Sequence, residues 1–530
     1  MGKSSWASRT TFILAAVGSA VGLGNAWRFP GLCAKHGGGT FILVYIIAML
    51  IVGLPLLMME ISIGRKTHQG AAGAFRSMSP RLEPLGWIAT ANAFVIVAYY
   101  AIVYAWVLLM IPTSLQFAGM TGDATAASQL FANTIQTTWD VTGYTIPLPM
   151  IIAFGVAWGS IYFCIRDGAS SVGKIVKYTV FLPVLLLAVM AVKGLFMPGA
   201  MEGMKMLFIP DLDAFANPSL WVDAFGQSFY SMSIMMAIMF AYGSYLRKTT
   251  NLFVDCGIIT LSGIAVSLLS AIVMFSTMGG VGMLDSISDS GIATAFVIYP
   301  QAIVNLTGNG VFNALFGVAF YLMLVTLAVD SAFSIVEGVS GSIAARFGFN
   351  PKKVTKAICI AAGLCSIIFI TQAGLAWLDI VDHWINQVNM ILIGILECVA
   401  IGWFFDLNKV YNQLERKSSP RLHMPRWWFF GCVRFICPIV LAALFVWNMV
   451  DLFVNHGGHY GYAPWAEFVG GWLLCILVFA AGFIIPAIIK KKKLPDNVDP
   501  TVWDQPDQDD WGGKPPEKAA KTVTFSPFLH

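Results

Sequence analysis

Charge is what this sequence has least of. Asp, Glu, Lys and Arg together make up 11% of its 530 residues, while 57% are hydrophobic. Soluble domains carry about a quarter charged residues, so a soluble globular fold is excluded. Segments of about ten residues with alternating polarity are also missing, which excludes an outer-membrane barrel. The nine cysteines are scattered with no CxxC, so they read as small buried apolar residues and not as a disulfide or metal framework. No HExxH occurs, and no G-x-S-x-G follows the tetrad His36-Gly37-Gly38-Gly39, so neither a zinc peptidase nor an α/β-hydrolase is encoded. That tetrad reads as a flexible outer turn. Gly168 to Lys174 fits G-x-x-x-x-G-K, but Ile175 stands where a phosphate loop needs Ser or Thr for its magnesium ion. Met1 to Arg9 is too short for a cleavable leader.

What is present is a succession of apolar runs, each of the roughly 20 residues a helix needs to cross a bilayer. Twelve are expected, centred near residues 22, 52, 100, 155, 184, 235, 268, 325, 362, 390, 440 and 480. The fold class is therefore all-α integral membrane protein. Residues 1–490 form one membrane domain: 1–9 a cytoplasmic N-terminus, 10–196 a first repeat, 221–403 a second, and 427–490 two further helices. Residues 491–530 form a flexible tail with Trp503 or Trp511 as a local contact. The outer connections 117–146, 197–220 and 281–309 are read as longer loops. Basic residues gather in alternate connections: Arg65, Lys66, Arg76 and Arg81; Arg166, Lys174 and Lys177; Arg247 and Lys248; Lys352, Lys353 and Lys356; Lys409, Arg416, Lys417, Arg421 and Arg426; Lys490 to Lys493. The positive-inside rule places those connections and both termini in the cytoplasm. A nucleic-acid partner is not expected, because the basic clusters are accounted for as orientation signals. His456 and His459 give only two possible metal ligands in one outer loop, too few for a site. Gly155 and Gly159 form a GxxxG pair, read as a helix-packing face.

The first run is interrupted. Gly18-Ser19-Ala20-Val21-Gly22-Leu23-Gly24-Asn25-Ala26-Trp27-Arg28-Phe29-Pro30 places three glycines, an Asn, an Arg and a Pro where a continuous helix is expected. Opened backbone at membrane depth is tolerated only where it lines a cavity or is buried in protein. Paired broken helices around a mid-membrane site are the construction of secondary transporters. A second interruption, Gln227 to Met236, brings three serines and a Gln into the sixth run, the first of a second set of five. Intramembrane ionisable groups point to function. Asp330 and Ser331, side by side in run eight, offer hard oxygen ligands for a small cation, with backbone carbonyls at Gly18 and Val21 to complete the shell. Glu60 and Glu397 are expected to accept backbone N–H groups from the opened helices, while Arg28 and Asp382 form an outer gate. Tyr99 and Tyr100 supply phenols near the first break.

These residues resemble the neurotransmitter:sodium symporter family, in its prokaryotic amino-acid transporter branch. The likeness covers roughly residues 5–485. It rests on Gly-Leu-Gly-Asn-x-x-Arg-Phe-Pro at 22–30, Gly37-Gly38-Gly39-x-Phe41, Ala-Tyr-Gly-Ser-Tyr at 241–245, and Asp330-Ser331. It implies a 5+5 inverted repeat with helices one and six broken, and a symporter that uses sodium to import a small neutral amino acid by alternating access. The main sodium site would use Gly18, Val21, Leu327, Asp330 and Ser331. The substrate would meet Ser19, Ala20, Gly22, Gly24, Ile96, Tyr100, Tyr230, Ser231, Ser233, Met236 and Ile335, with Tyr100 and Tyr230 sharing the gate with Arg28 and Asp382. Gly22 replaces the Asp that holds an amine in monoamine carriers. A second sodium site would use Ala20, Asn25 and Ser231, but Gly263 falls where an Asn is expected, so this site is expected to be weakened or absent. Chloride would be held by Tyr45, Gln227, Ser231 and Ser267. At the inner gate Lys3 could be the basic partner, while Ala345 replaces the expected acid. Na+ and Cl– are thus the implied ions, the lipid bilayer the surroundings, and the cell inner (plasma) membrane the location, as a monomer or homodimer. An uncoupled uniporter or channel of this fold, or a sensor that binds without transport, is the alternative.

Overall fold

The computed structural model describes residues 6–246, 250–287, 290–416, 422–458 and 460–505. Arg247, Lys248, Lys417, Arg421, Lys3, His459 and Trp511 lie outside them. Among the described residues, ten helices and two broken helix pairs are candidate membrane spans. Ten are continuous: span two Gly39–Thr67, three Glu83–Gly119, four Leu148–Ile165, five Ala169–Leu195, seven Leu252–Val281, eight Gly310–Phe347, nine Pro351–Ile370, ten Gly374–Phe404, eleven Arg426–Val454 and twelve Pro464–Lys492. The other two are broken. Span one runs Arg9–Ala20 and then Gly24–Lys35, bent by 53°. Span six runs Pro218–Tyr230 and Ile238–Ser244, separated by seven residues.

The two breaks have different causes. In span one Val21 leaves helical geometry (φ −90°, ψ 81°) just before Gly22, and the chain re-enters the helix by Leu23. In span six the break contains no glycine. Ser233, Met235 and Ala237 instead hold left-handed backbone, with φ of 50°, 64° and 60°. Such a conformation costs an ordinary residue roughly 1–2 kcal/mol, so other contacts must hold it. One is explicit: the Met235 amide donates to Glu60 Oε1 of span two at 2.7 Å. Glu60 is fully buried, and Glu397 of span ten lies beside it. Glu60 thus accepts from an opened helix as expected; Glu397 accepts none, and its Oε1 has no hydrogen-bond partner.

Three expectations are corrected. The outer connections are not plain loops: they carry helices Ala124–Ile135, Ala200–Phe208 and the apolar Gly291–Val304. The Gly37–Gly38 turn is not a flexible one. A Cβ at Gly38 would lie 2.0 Å from the Met206 carbonyl oxygen, and buried His36 is bonded to Asp223 of span six at 2.7 Å. Gly155 and Gly159 meet no neighbour within 4 Å of a built Cβ, so they form no helix-packing face within the chain.

The stretch after span twelve is also not free up to Gln505. Asp496 pairs with Arg76 (2.5 Å) and with buried Arg346 at the end of span eight (2.8 Å). Glu83 completes a four-charge ring through the same two arginines. Asn497 takes up the carbonyl ends of span eight at Ala345 and Arg346. Trp503 is buried on Phe405 and donates to Ser77 Oγ at 3.0 Å. This strap lies at the end of the bundle that carries the basic connections, and the N-terminal Trp6 plugs the same end. Its amide and indole donate to the carbonyls of Tyr245 and Tyr242 (3.1 and 3.0 Å), while Arg9 pairs with Asp255 at 2.6 Å.

Candidate functional site

The breaks face one another across a cavity of about 460 Å³, within the range of small-ligand sites. Its lining includes Ser19, Gly22, Gly24, Ile96, Tyr100, Tyr230, Ser233, Met236, Ser331 and Ile335, so nine of the eleven expected substrate residues converge on it. Ala20 and Ser231 do not. Ala20 is fully buried in the core, and the Ser231 hydroxyl is engaged elsewhere. The apolar wall is built from Ile96, Val103, Met236, Ile238 and Ile335. Polar groups concentrate at the breaks, where Ser233 Oγ donates to the Ser19 carbonyl at 2.8 Å. The Tyr100 hydroxyl lies beside Ser331 and the Leu23 amide.

Immediately beneath this floor, span eight presses on span one. A Cβ built on Gly18 would lie 2.5 Å from Asp330 Oδ2, and one on Gly22 would lie 2.6 Å from Ser331 Oγ. Glycine at these two positions lets a carboxylate approach the last helical turn before the break and a hydroxyl approach the break itself. Ser331 Oγ lies 3.4 Å from the Ser19 carbonyl and 3.5 Å from that of Leu327. Asp330 is 1% exposed, and its Oδ1 has no hydrogen-bond partner. An unpaired carboxylate oxygen held dry is costly. The Thr179 hydroxyl lies beside this carboxylate, and the neighbouring Ser331 hydroxyl lies by two carbonyls; carboxylate, hydroxyl and carbonyl oxygens are the donor types a hard cation takes. Gly18 thus lies against Asp330, and Leu327 against Ser331.

A second polar knot lies behind the first break. Tyr45 Oη donates to Ser231 Oγ (2.8 Å) and lies 3.3 Å from Ser267 Oγ. Asn25 Nδ2 donates to Ser267 Oγ (2.9 Å) and to the Gly263 carbonyl (3.4 Å). Gln227 Nε2 donates to the Gly24 carbonyl (3.2 Å) and lies 3.5 Å from Ser231 Oγ. All five side chains are buried, and none carries a charge. Hydroxyl and amide donors without a counter-charge suit an anion. Gly263 lies against the Ser231 carbonyl, 3.4 Å from a built Cβ, and brings no side-chain oxygen to the place where a second cation would need one.

Above the floor, the two residues expected as a gate lie at the same cavity. Arg28 and Asp382 both line the cavity, but no ion pair joins them. The Arg28 guanidinium lies over the Tyr230 ring, 4.9 Å from its centroid, and Nη1 has no hydrogen-bond partner. Asp382 Oδ1 instead accepts from Asn386 Nδ2 (2.7 Å), which also donates to Tyr99 Oη at 2.7 Å. Sequence reasoning missed Asn386, although an amide inside a span is a signal of the same kind as Asp330. It also missed Trp27, His383 and Gly291. A Cβ on Gly291 would lie 2.4 Å from the Trp27 indole, so the outer helix Gly291–Val304 sits directly on the mouth of the cavity.

Comparison with known proteins agrees with this geometry. Residues 3–123 and 128–494 match the sodium:neurotransmitter symporter family. An uncharacterized sodium-dependent transporter of Methanocaldococcus jannaschii is 32% identical over 504 residues, covering 93% of this chain and 98% of its own. The mouse sodium-dependent neutral amino acid transporter B(0)AT3 is 27% identical over 576 residues, covering 91% and 92%. The human sodium- and chloride-dependent GABA transporter 2 is 26% identical over 513 residues, covering 89% and 84%. These relatives are transporters, not enzymes.

Proposed function

The chain belongs to the sodium:neurotransmitter symporter family, and from that premise we propose that it imports a neutral α-amino acid together with sodium across the inner (plasma) membrane, with both termini cytoplasmic. One observation carries the reading: buried Asp330, whose Oδ1 has no hydrogen-bond partner, and the Ser331 hydroxyl press on span one at Gly18, just before its break, and at Gly22 within it, next to the cavity. The cation is cargo, and Gly18, Val21, Leu327, Asp330 and Ser331 would hold it. Because Ser331 lies between that site and the cavity, filling the cation site orders the cavity floor. The broken ends of spans one and six would take the substrate. Opened amides near Gly22 and Gly24, with Tyr100, suit a carboxylate, and carbonyls at the same breaks suit an ammonium group. No acidic side chain lies at Gly22, so the substrate brings its own carboxylate. The wall of Ile96, Met236 and Ile335 favours an apolar side chain, and flexible Met236 lets its size vary. With Trp6 closing the basic end, the cavity meets the outer side first, and Tyr230 under Arg28 would cover the bound substrate. Chloride would sit among Tyr45, Gln227, Ser231 and Ser267.

A ligand that binds the folded state raises its apparent stability. A thermal-shift screen of the twenty amino acids, with sodium and with potassium in its place, tests the reading. Stabilisation by a neutral amino acid only in sodium, followed by concentrative uptake in proteoliposomes, is expected. Binding without flux would identify a sensor. Uptake that never exceeds the outside concentration would identify a uniporter.

A further inference from the structure

A second cavity, of about 400 Å³, opens on the outer flank of the bundle between spans four and nine, away from the transport site. Phe154, Trp158, Gly159 and Tyr162 form one wall, and Lys356, Cys359, Ile360, Gly363, Leu364 and Ile367 the other. The groove exists because small residues line it. Gly159 has open space where a side chain would be, and a Cβ at Gly363 would come no nearer than 3.8 Å to Trp158.

Its chemistry is graded along its length. At the basic end stands Lys356, with exposed Lys352 and Lys353 on the same helix and Arg166 at the end of span four. Asp167, beside this cluster, already pairs with Lys352 at 2.6 Å. One turn on come the amphipathic rings of Tyr162 and Trp158. Trp158 is 8% exposed, and its indole N–H is buried with no hydrogen-bond partner. Beyond them Phe154, Ile360, Gly363, Leu364 and Ile367 are wholly apolar, and Ile360 and Leu364 are more than half exposed. Charge, then a lone donor at aromatic depth, then hydrocarbon is the order of a phospholipid: headgroup, ester, acyl chain. A basic pocket between spans on the positively charged side fits an anionic headgroup.

We propose that this groove is a binding site for one anionic phospholipid. Its acyl chain lies between spans four and nine, its ester oxygen accepts from Trp158 Nε1, and its phosphate faces Lys356 with Lys353. The site spans two helices that pack on the family core, so an occupied groove braces span nine against span four.

The test uses the full chain, purified in mild detergent, delipidated and supplied with phosphatidylglycerol or phosphatidylcholine. Native mass spectrometry counts retained lipid, and thermal shift reads its effect. The expected result is one tightly held phosphatidylglycerol and weaker phosphatidylcholine. Each surface lysine is worth about 1 kcal/mol toward an anionic lipid, so Lys356→Ala should weaken phosphatidylglycerol about fivefold and leave phosphatidylcholine unchanged. Gly363→Leu fills the groove and should abolish retention of both. Trp158→Phe keeps the ring and should weaken both. Equal retention of the two lipids, or phosphatidylglycerol retention unaffected by Lys356→Ala and Gly363→Leu, would overturn the proposal. So would lipid-free dimers cross-linked through Ile360, which would show that a second copy fills the groove.

Discussion

If the second cation site is lost at Gly263, as proposed, restoring an Asn there should change the number of sodium ions coupled to transport. A built Cβ at this position meets Ser231 O at 3.4 Å and the Met49 methyl at 3.5 Å, which is ordinary contact. Gly263→Asn would therefore fit, and its carboxamide would add an oxygen beside Asn25 and the Ser231 carbonyl. The exchange should fold. Removing a helical glycine gains a few tenths of a kcal/mol, against about 1–3 kcal/mol for a buried amide left partly unsatisfied. The gain appears in transport. Under a tenfold sodium gradient at zero potential each coupled sodium contributes about 1.4 kcal/mol. One sodium then limits substrate accumulation to about tenfold, and two to about a hundredfold. The assay is steady-state radiotracer accumulation in proteoliposomes with the potential clamped and chloride equal on both sides, alongside the sodium Hill coefficient. We expect about tenfold and a coefficient near one for the natural chain, rising toward a hundredfold and two in Gly263→Asn. A natural chain that already exceeds tenfold with a coefficient near two would refute the reasoning. So would a well-folded variant that transports but stays at tenfold.

Gly18→Ala drives a methyl to 2.5 Å from Asp330 Oδ2; sodium at a hundred times its Kd should stabilise the natural chain by about 2.7 kcal/mol and the variant not at all, as read by thermal shift. Ser267→Glu puts a carboxylate among Tyr45, Asn25 and Ser231, and uptake in gluconate should then equal uptake in chloride, whereas the natural chain should slow without chloride. Glu60→Ala leaves the Met235 amide buried and unpaired, a loss of about 1–3 kcal/mol, while Glu60→Gln keeps an acceptor and should recover most of it; chemical denaturation distinguishes them. Asp496 is partly desolvated, which opposes ionisation, but the bond from Arg76 and the charge of Arg346 prevail and hold its carboxyl below the usual range. The strap should therefore stay docked at neutral pH and through the ordinary carboxylate range, and release only as pH falls through that depressed value. Limited proteolysis around residues 496–505 against pH measures this, with Asp496→Asn cleaved already at neutral pH.

The twelve crossings and the first break were legible because their causes are local. Long apolar runs need no partner to be recognised, and a glycine cluster marks where a helix can open, although only Val21 and Gly22 leave helical geometry while Gly24, Asn25 and Pro30 sit in the helix that follows. Asp330 and Ser331 stood out because charge inside a span is costly wherever it occurs. The second break was only half legible. Its serines signalled polarity, but Ser233, Met235 and Ala237 carry no intrinsic preference for left-handed backbone, and the group that meets the Met235 amide lies 175 residues away on Glu60. The strap was partly legible: Trp503 stood out as a contact of the tail, but Asp496 and Asn497 are ordinary polar residues until Arg346 and Ala345 come within reach. At the outer gate the two charges were legible but their direct partners were not: Arg28 lies over the Tyr230 ring, and Asp382 accepts from Asn386.

The opening in span six has a consequence for biogenesis. A chain entering the bilayer cannot expose unpaired amides to lipid, where each costs several kcal/mol. Until Glu60 is alongside, residues 231–237 are better off as ordinary helix, with every amide bonded in its own segment. The sixth crossing should therefore insert unbroken and unwind only on meeting the second. The cargo pocket is then a late product of assembly, absent from any partly built intermediate, and the newborn protein cannot leak solute before it is complete.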